Sequence, residues 1–418
     1  MNRIKSQACS AQRSLECAAA DGLQSYKFFK GGVGHRPQLS SRLEGQNRES
    51  RTIHARATEY LPDLPDLSES QRAVRGAISK ICTRFPDEYW LFTTAIARHG
   101  WLGICMPAAY GGSELGLAEA VTMVQTVAES GGGFSATSSI HMNIFGLAPV
   151  VKFGVEKQKR RFLPPLIEGK NKDHVDKRSC FAATEPNTGL DTLKLQSTAT
   201  KTPNGQAYVL RGSKTWTSTA QQASKILILA RTTSLSDVEK PSSHGLSLFY
   251  TPLDRAAVSI ADIPKMGRAA VDSNALHFDG WRGAGSKHIL HDMNAERILL
   301  ADEAVGLGFA ALRRASRYAG ERVVFGRAVG ANQGVQHPLA ASWVELEAAR
   351  MFDEGCQTGE YANAVKWAVV AHCGMGYAKE YHVERYLREV LVPRIAPVSR
   401  EMCLNYIGER VLGLPKSY

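Results

Sequence analysis

Two short stretches hold most of the side chains that could do chemistry. One is Cys180-Phe-Ala-Ala-Thr-Glu-Pro-Asn-Thr-Gly-Leu-Asp191; the other, beyond an Asn204-Gly205 turn, is Lys214-Thr-Trp-Thr-Ser218. Neither has the pattern of an activated nucleophile, a metal cluster or a phosphate loop. A Thr-Glu-Pro turn followed by a hairpin with one Trp presents backbone amides, a hydroxyl and an aromatic face, which suits a flat ring. Taken alone, Trp216 is equally well an ordinary core residue. A third place is Asn294-Ala-Glu-Arg297. Glu296 falls in the first turn of a helical pattern, where Asp292 or Asn294 can cap the helix and the helix dipole favours an acid. That position by itself asks only helix stability of Glu296.

The elements that must position these residues fall into three blocks. From about 68 to 169 the pattern is helical: Ser68-Glu-Ser-Gln71 can open a helix, 117–130 is amphipathic and stops at Gly131-Gly-Gly133, and 155–167 is interrupted by Pro164-Pro165. From about 179 to 280 the period is two, with strands expected at 197–202, 207–212, 225–232, 245–251 and 274–279, and Asn204-Gly205 as a hairpin turn. From about 294 the pattern is helical again, over 295–320, 337–351, 362–372, 383–391 and 401–412. The expectation is an α+β fold: an N-terminal helical domain (58–178), a middle antiparallel β domain (179–290) and a C-terminal helical bundle (291–418). Gly306-Leu-Gly308 lies inside a helical pattern with no strand before it, so it reads as close helix packing and not as a nucleotide loop.

Composition sets outer bounds. The 418 residues allow two or three packed units, and 44% hydrophobic with 22% charged residues fits a globular protein. Lys and Arg outnumber Asp and Glu by 51 to 40. That excess suits a polyanionic partner such as a phosphorylated carrier, or a solvated basic surface. No nucleic-acid module or membrane-length apolar run is evident. The eight cysteines are scattered without a C-x-x-C pair and read as reduced thiols. Residues 1–57 hold ten Lys or Arg against four acids and read as a disordered basic leader, with some character of a mitochondrial transit peptide. The final Lys416-Ser-Tyr418 differs from the peroxisomal Ser-Lys-Leu tripeptide, so the compartment, mitochondrial or peroxisomal, stays open.

Several motifs occur in one order over roughly Asp87 to Tyr418: Gly103-Ile-Cys-Met-Pro-Ala-Ala-Tyr-Gly-Gly112, Thr184-Glu-Pro, Lys214-x-Trp216, Lys265-Met-Gly267, Glu321-Arg-Val-Val-Phe-Gly326 with Gln333, Gly374-x-Gly376 and Tyr381-x-Val-Glu-Arg385. Together the series resembles the acyl-CoA dehydrogenases, which are FAD-dependent. The resemblance implies removal of hydrogen across the α and β carbons of an acyl-CoA thioester, with a carboxylate taking the α-proton and the flavin taking the β-hydride. It implies that Ala183, Thr184, Gly189, Trp216 and Ser218 contact the flavin. Arg322, Phe325 and Gln333 would meet the FAD of a neighbouring subunit in a homodimer or homotetramer, and Gly374 and Gly376 would let the backbone approach the dinucleotide. The expected acceptor is an electron-transfer flavoprotein; an oxidase using oxygen and a non-catalytic acyl-CoA-binding relative are the alternatives. Fatty-acid metabolism and a specialised biosynthetic route both remain open.

The same resemblance bears on the base. In much of the family it lies in a Glu-Gly-Thr turn, where this chain has Pro397, which cannot accept a proton. A minority of the family places it before an Arg at the start of the first C-terminal helix, which here implies Glu296, with Arg297 beside the substrate. Leu190 stands where relatives carry a Ser against cofactor and thioester, and Val370 and Cys373 where a Gln and a Gly are expected. The bundle reads as short by about two turns after Met351 and three to four near Ala368–Val370, and 280–291 reads as a shortened loop. Lost turns imply a looser domain or weaker FAD binding.

Overall fold

A computed structural model describes residues 67–85, 92–146, 148–168, 179–238, 242–283, 294–351 and 360–416. The basic leader and the shortened loop and helix junction lie wholly or largely outside them. The chain divides into two compact units at Arg72/Ala73; of the first, only residues 67–72, at the start of the first helix, are described.

The opening helix, α1 (Glu69–Cys82), begins where Ser68-Glu-Ser-Gln71 leads one to expect. The Gln71 amide donates to Ser68 Oγ (3.2 Å), and Gln71 Oε1 accepts from the Ser68 amide (2.8 Å). Helices α2 (Phe92–Arg98), α3 (Leu117–Val127), α4 (Gly133–Phe145), α5 (Ala148–Phe153) and α6 (Glu156–Glu168) follow. The helical path stops at Gly131-Gly-Gly133 as expected: Gly131, at φ 106°, leaves helical geometry, and α4 starts as a separate helix at once. Pro164 and Pro165, by contrast, do not break α6, which runs through both; Leu163, Leu166 and Ile167 are buried around them, and packing outweighs the lost hydrogen bonds.

The middle block is a seven-stranded sheet: β1 (Ser179–Ala182), β2 (Thr198–Lys201), β3 (Tyr208–Ser218), β4 (Lys225–Arg231), β5 (Leu246–Pro252), β6 (Val258–Asp262) and β7 (Ser273–Gly283). Its order is β1-β4-β2-β3-β7-β6, with β5 also on β4. The expectation of an antiparallel sheet needs one correction: β1 and β2 both pair with β4 in parallel, the other pairings being antiparallel. β1 is joined to β2 by the long Thr184-Glu-Pro connection and not by a hairpin, so both strands run alongside β4 in one direction. β4 is an unbroken apolar run buried on both faces, Ile226, Ile228 and Ala230 on one and Leu227 and Leu229 on the other. The β2–β3 hairpin turns at Asn204-Gly205, with Gly205 at φ 71°.

The last block begins with α7 (Asn294–Glu321), 28 residues and about 42 Å long. A two-strand ribbon, β8 (Val323–Val324) and β9 (Arg327–Ala328), leads to α8 (Gln333–Met351), α9 (Glu360–Ala371), α10 (Val383–Glu389), α11 (Val392–Ile395) and α12 (Arg400–Tyr406). Leu307, Ala311, Leu346, Ala364, Val365, Ala368, Val383 and Tyr386 are completely buried, so α7 to α10 share a closed core although α9 has only 12 residues. Gly306 and Gly308 are contact points, as expected. A Cβ at Gly306 would lie 2.6 Å from the Gln125 carbonyl oxygen, and one at Gly308 2.7 Å from Leu346 Cδ2.

Candidate functional site

The expected site residues gather in three places. In the sheet, β3 and β7 lose register between Lys214 and Thr217, and Trp216 sits at that bulge with φ 59° and 57% exposure. The bulge turns the indole outward, so it is not a core Trp. Lys214, fully buried, fixes the neighbouring turn: Nζ donates to the Ala183 carbonyl (3.0 Å) and to Glu185 Oε1 (2.8 Å). The Thr215 amide donates to the Thr184 carbonyl (2.9 Å), and Glu185 accepts from the Gln196 and Ser197 amides. Burial pushes the Glu185 carboxyl up, but the Lys214 charge and these hydrogen bonds leave it below its ordinary value. Burial pulls the Lys214 ammonium down to about 8 despite Glu185. Ala183 and Thr184 are thereby held beside Trp216. Ser218 ends β3, and Gly189 and Leu190 lie exposed on the adjoining turn.

The second place is the N-terminal end of α7. Glu296 Oε2 is buried and has no hydrogen-bond partner. Burial raises the Glu296 carboxyl above the ordinary range, against the pull of His141, Arg297 and Arg268 and with a push from Glu303. Arg297 is exposed. Two turns along, Glu303 is completely buried; its oxygens take Thr137 Oγ1 (2.9 Å) and His141 Nδ1 (2.9 Å) from α4. A third buried acid, Glu389 of α10, accepts from the Phe134 amide (3.0 Å) and Ser135 Oγ (2.5 Å) at the start of α4, where a helix N-terminus favours an anion. Gly133 (φ 57°) is obligatory there, since a Cβ would meet Glu389 Oε2 at 2.7 Å. Arg385 and Tyr386 of the same short helix donate to the Gly131 carbonyl. Arg268, in the left-handed region at φ 56°, comes in from the sheet. Its Nε is buried without a partner, and its charge interacts with Glu303, Glu389 and Glu296.

The third place is the far end of α7. Arg322 follows that helix, and Phe325, fully exposed, tips the β8–β9 ribbon. Gln333 opens α8, and Gly374 lies open beyond α9. His372 stacks on Tyr318 at 4.4 Å between ring centres, with Tyr381 edge-on, tying the Gly374 loop to α7. Gly376 packs against the end of α9, since a Cβ there would lie 2.2 Å from the Val369 carbonyl oxygen. Twenty-six residues of α7 path separate Glu296 from Arg322, about 39 Å, so these two places do not meet within one chain.

These surroundings fit a flavin. Trp216 offers an uncovered aromatic face, the Thr217 hydroxyl beside it is buried without a partner, and the Gly189 turn leaves open space for a ring edge. The described residues hold no His, Cys, Asp and Glu group able to bind a metal, and none of their helices is long and apolar enough to cross a membrane.

Comparison with known proteins agrees. The N-terminal, middle and C-terminal domain models of acyl-CoA dehydrogenase match residues 72–170, 180–281 and 283–355. Acyl-CoA dehydrogenase fadE12 of Mycobacterium bovis is 31% identical over 397 residues, covering 84% of this chain and 98% of that protein. The chain belongs to the acyl-CoA dehydrogenase family. It is an oxidoreductase of the class acting on CH–CH groups, with FAD as cofactor. A glutaryl-CoA dehydrogenase of Desulfococcus multivorans is 27% identical, covering 84% of this chain and 98% of that protein. In fold, butyryl-CoA dehydrogenase of Megasphaera elsdenii superposes with a TM-score of 0.72 at 23% identity, over 83% of this chain and 99% of that one. The FAD complex of PigA gives 0.72 at 21%, over 84% and 99%.

Sequence reasoning passed over Arg268, His141, Glu303 and Glu389. A signal existed for Arg268, which directly follows the Lys265-Met-Gly267 motif; the structure shows why the glycine is there, since its Cβ would lie 2.8 Å from the Arg388 carbonyl oxygen. His141 and Glu303 each interrupt an apolar helix face, and only the three-dimensional structure pairs them.

Proposed function

We propose that Glu296 is the base that removes the α-proton of an acyl-CoA thioester, the first bond broken in the dehydrogenation. The observation that carries this reading is the buried Glu296 Oε2, which has no hydrogen-bond partner. A helix-capping acid would be solvated or bonded to a backbone amide; a carboxyl oxygen kept dry and free is arranged to receive a proton. Burial raises its proton affinity, so the proton is held once taken. Pro397 leaves no acid at the position used by much of the family.

Ala183, Thr184, Gly189, Trp216 and Ser218 would hold the flavin ring, Trp216 by stacking and the turn by backbone and hydroxyl contacts. Arg322, Phe325, Gln333, Gly374 and Gly376 would reach the FAD of a second copy, because about 39 Å of helix keeps them from their own. A homodimer, alone or paired into a homotetramer, completes the site. Bound flavin supplies the oxidant that accepts the β-hydrogen with its electron pair. Leu190 and Arg297 flank the acyl thioester; Leu190 covers it with an apolar side chain. Electrons then pass to an external acceptor such as an electron-transfer flavoprotein.

The test is an anaerobic titration of the purified protein with straight, branched and dicarboxylic acyl-CoA thioesters. A yellow protein whose flavin band bleaches with one class supports the reading. A colourless protein, or one that no thioester bleaches, overturns it.

A further inference from the structure

Near the N-terminal end of α7 the structure leaves two charged atoms buried without hydrogen-bond partners: the acceptor Glu296 Oε2 and the donor Arg268 Nε. Their charges interact, yet neither atom satisfies the other. A buried unpaired donor and a buried unpaired carboxyl oxygen each cost free energy, so their presence within electrostatic reach of each other implies a third group that uses both. Arg268 is placed with care. Gly267 packs its backbone on the end of α10, Arg388 Nη1 donates to the Met266 carbonyl (2.7 Å), and the Val271 amide closes a turn onto the Arg268 carbonyl (3.1 Å). Glu303 and Glu389 do not satisfy Arg268 Nε; their oxygens are taken by Thr137, His141, Phe134 and Ser135.

We propose that Arg268 is a further catalytic residue, whose Nε–H donates a hydrogen bond to the thioester carbonyl oxygen of the substrate while Glu296 takes the α-proton. The proposal rests on Glu296 being the base. When the α C–H bond breaks, its proton goes to Glu296 and its electron pair spreads onto the thioester oxygen as an enolate. A fixed cation beside that oxygen in a dry site is worth more in the transition state than in the bound ester. Arg268 cannot give up its charge there, and its neighbours fix the balance: Glu296, Glu303 and Glu389 are the acids, Arg268, Arg385 and His141 the groups that can carry positive charge, with Arg297 at the exposed rim.

The test uses the flavin-loaded enzyme and a 3-thia-acyl-CoA thioester, whose sulfur replaces the β carbon, so that only the α-proton can exchange and no electrons move. Exchange into D2O is followed by mass spectrometry. Arg268→Gln is expected to slow exchange about 100-fold, with binding of the unionised thioester changed less than about threefold. Glu296→Gln is expected to slow exchange about 1000-fold; if it does and Arg268→Gln exchanges at the wild-type rate, only the Arg268 proposal falls. Wild-type exchange in Glu296→Gln instead sinks the base assignment. If Arg268 is merely a counter-ion to Glu303 and Glu389, Arg268→Gln lowers Tm and leaves exchange in the folded fraction unchanged, which overturns the proposal. Should Arg268→Gln not fold, the infrared carbonyl stretch of the bound thioester decides. It is lower in wild type than in Arg268→Lys if Arg268 donates, and equal in both if it does not.

Discussion

Replacing Glu296 by Gln should make the enzyme slower and more stable at once. The amide matches the carboxyl in shape but cannot accept the α-proton. Loss of a positioned general base costs on the order of 10³ in rate, about 4 kcal/mol of barrier. Stability moves the other way. In the folded protein burial raises the Glu296 carboxyl, so the native state binds this proton more tightly than the unfolded chain does. Native stability from this group is therefore fully present below the unfolded carboxylate pKa and is lost as pH rises toward the raised folded value. Once ionised, the wild-type group carries the cost of a carboxylate whose buried Oε2 lacks a partner. Gln removes about 1–2 kcal/mol of that cost, which raises Tm by about 1–3 °C in a chain of this length, and the gain shrinks as pH falls. The assays are stopped-flow flavin reduction by acyl-CoA and thermal unfolding from pH 5 to 8 at matched flavin content. A variant with wild-type reduction rate, or with a lower Tm at neutral pH, would refute the reasoning.

Turnover in the wild type should fall as pH drops through a value above the ordinary carboxylate range, and His141→Gln should move that limb further up, since it removes a group that pulls Glu296 down; a limb at an ordinary carboxylate value contradicts this. Lys214→Met strands the buried Glu185 charge, so it should cost about 3–5 kcal/mol in denaturant melts and release FAD; an unchanged midpoint would show that the pair does not hold the Thr184 turn. Trp216→Ala removes a 57% exposed ring and should change stability by less than about 0.5 kcal/mol while weakening FAD binding about tenfold, measured by flavin fluorescence on dilution. Mixed in equal amounts through a dissociation and reassembly cycle, inactive Glu296→Gln and Arg322→Gln subunits should recover about one quarter of wild-type activity. Half the dimers are then hybrids with one intact site, and no recovery would mean that each chain builds its own site.

The fold was legible because helical and two-residue periods alternate in long blocks. β3 and α7 fall where the pattern puts them, although β3 runs on to Ser218 past its expected end at 212. The short β1 and β6 were missed because neither adjoins a hairpin signal such as the Asn204-Gly205 turn that marks the equally short β2. The sheet's parallel pairings depend on a connection whose path no local pattern fixes. Pro164 and Pro165 sit inside a helix because burial around them outweighs local propensity. At the site, local motifs located the Trp216 bulge and the first turn of α7. The charge balance around Glu296 could not be read, because His141, Arg268 and Glu389 come from three distant segments. What joins them is tertiary packing: Gly133 and Gly267 each let α10 approach more closely than a Cβ would permit.

The most direct measurement is a crystal structure of the flavin-loaded protein with a non-reacting acyl-CoA analogue bound. The Glu296 carboxylate should then lie within about 3–3.5 Å of the substrate α carbon, on the face opposite the flavin. A carboxylate turned to bulk water, or another acid in contact with that carbon, would contradict the account.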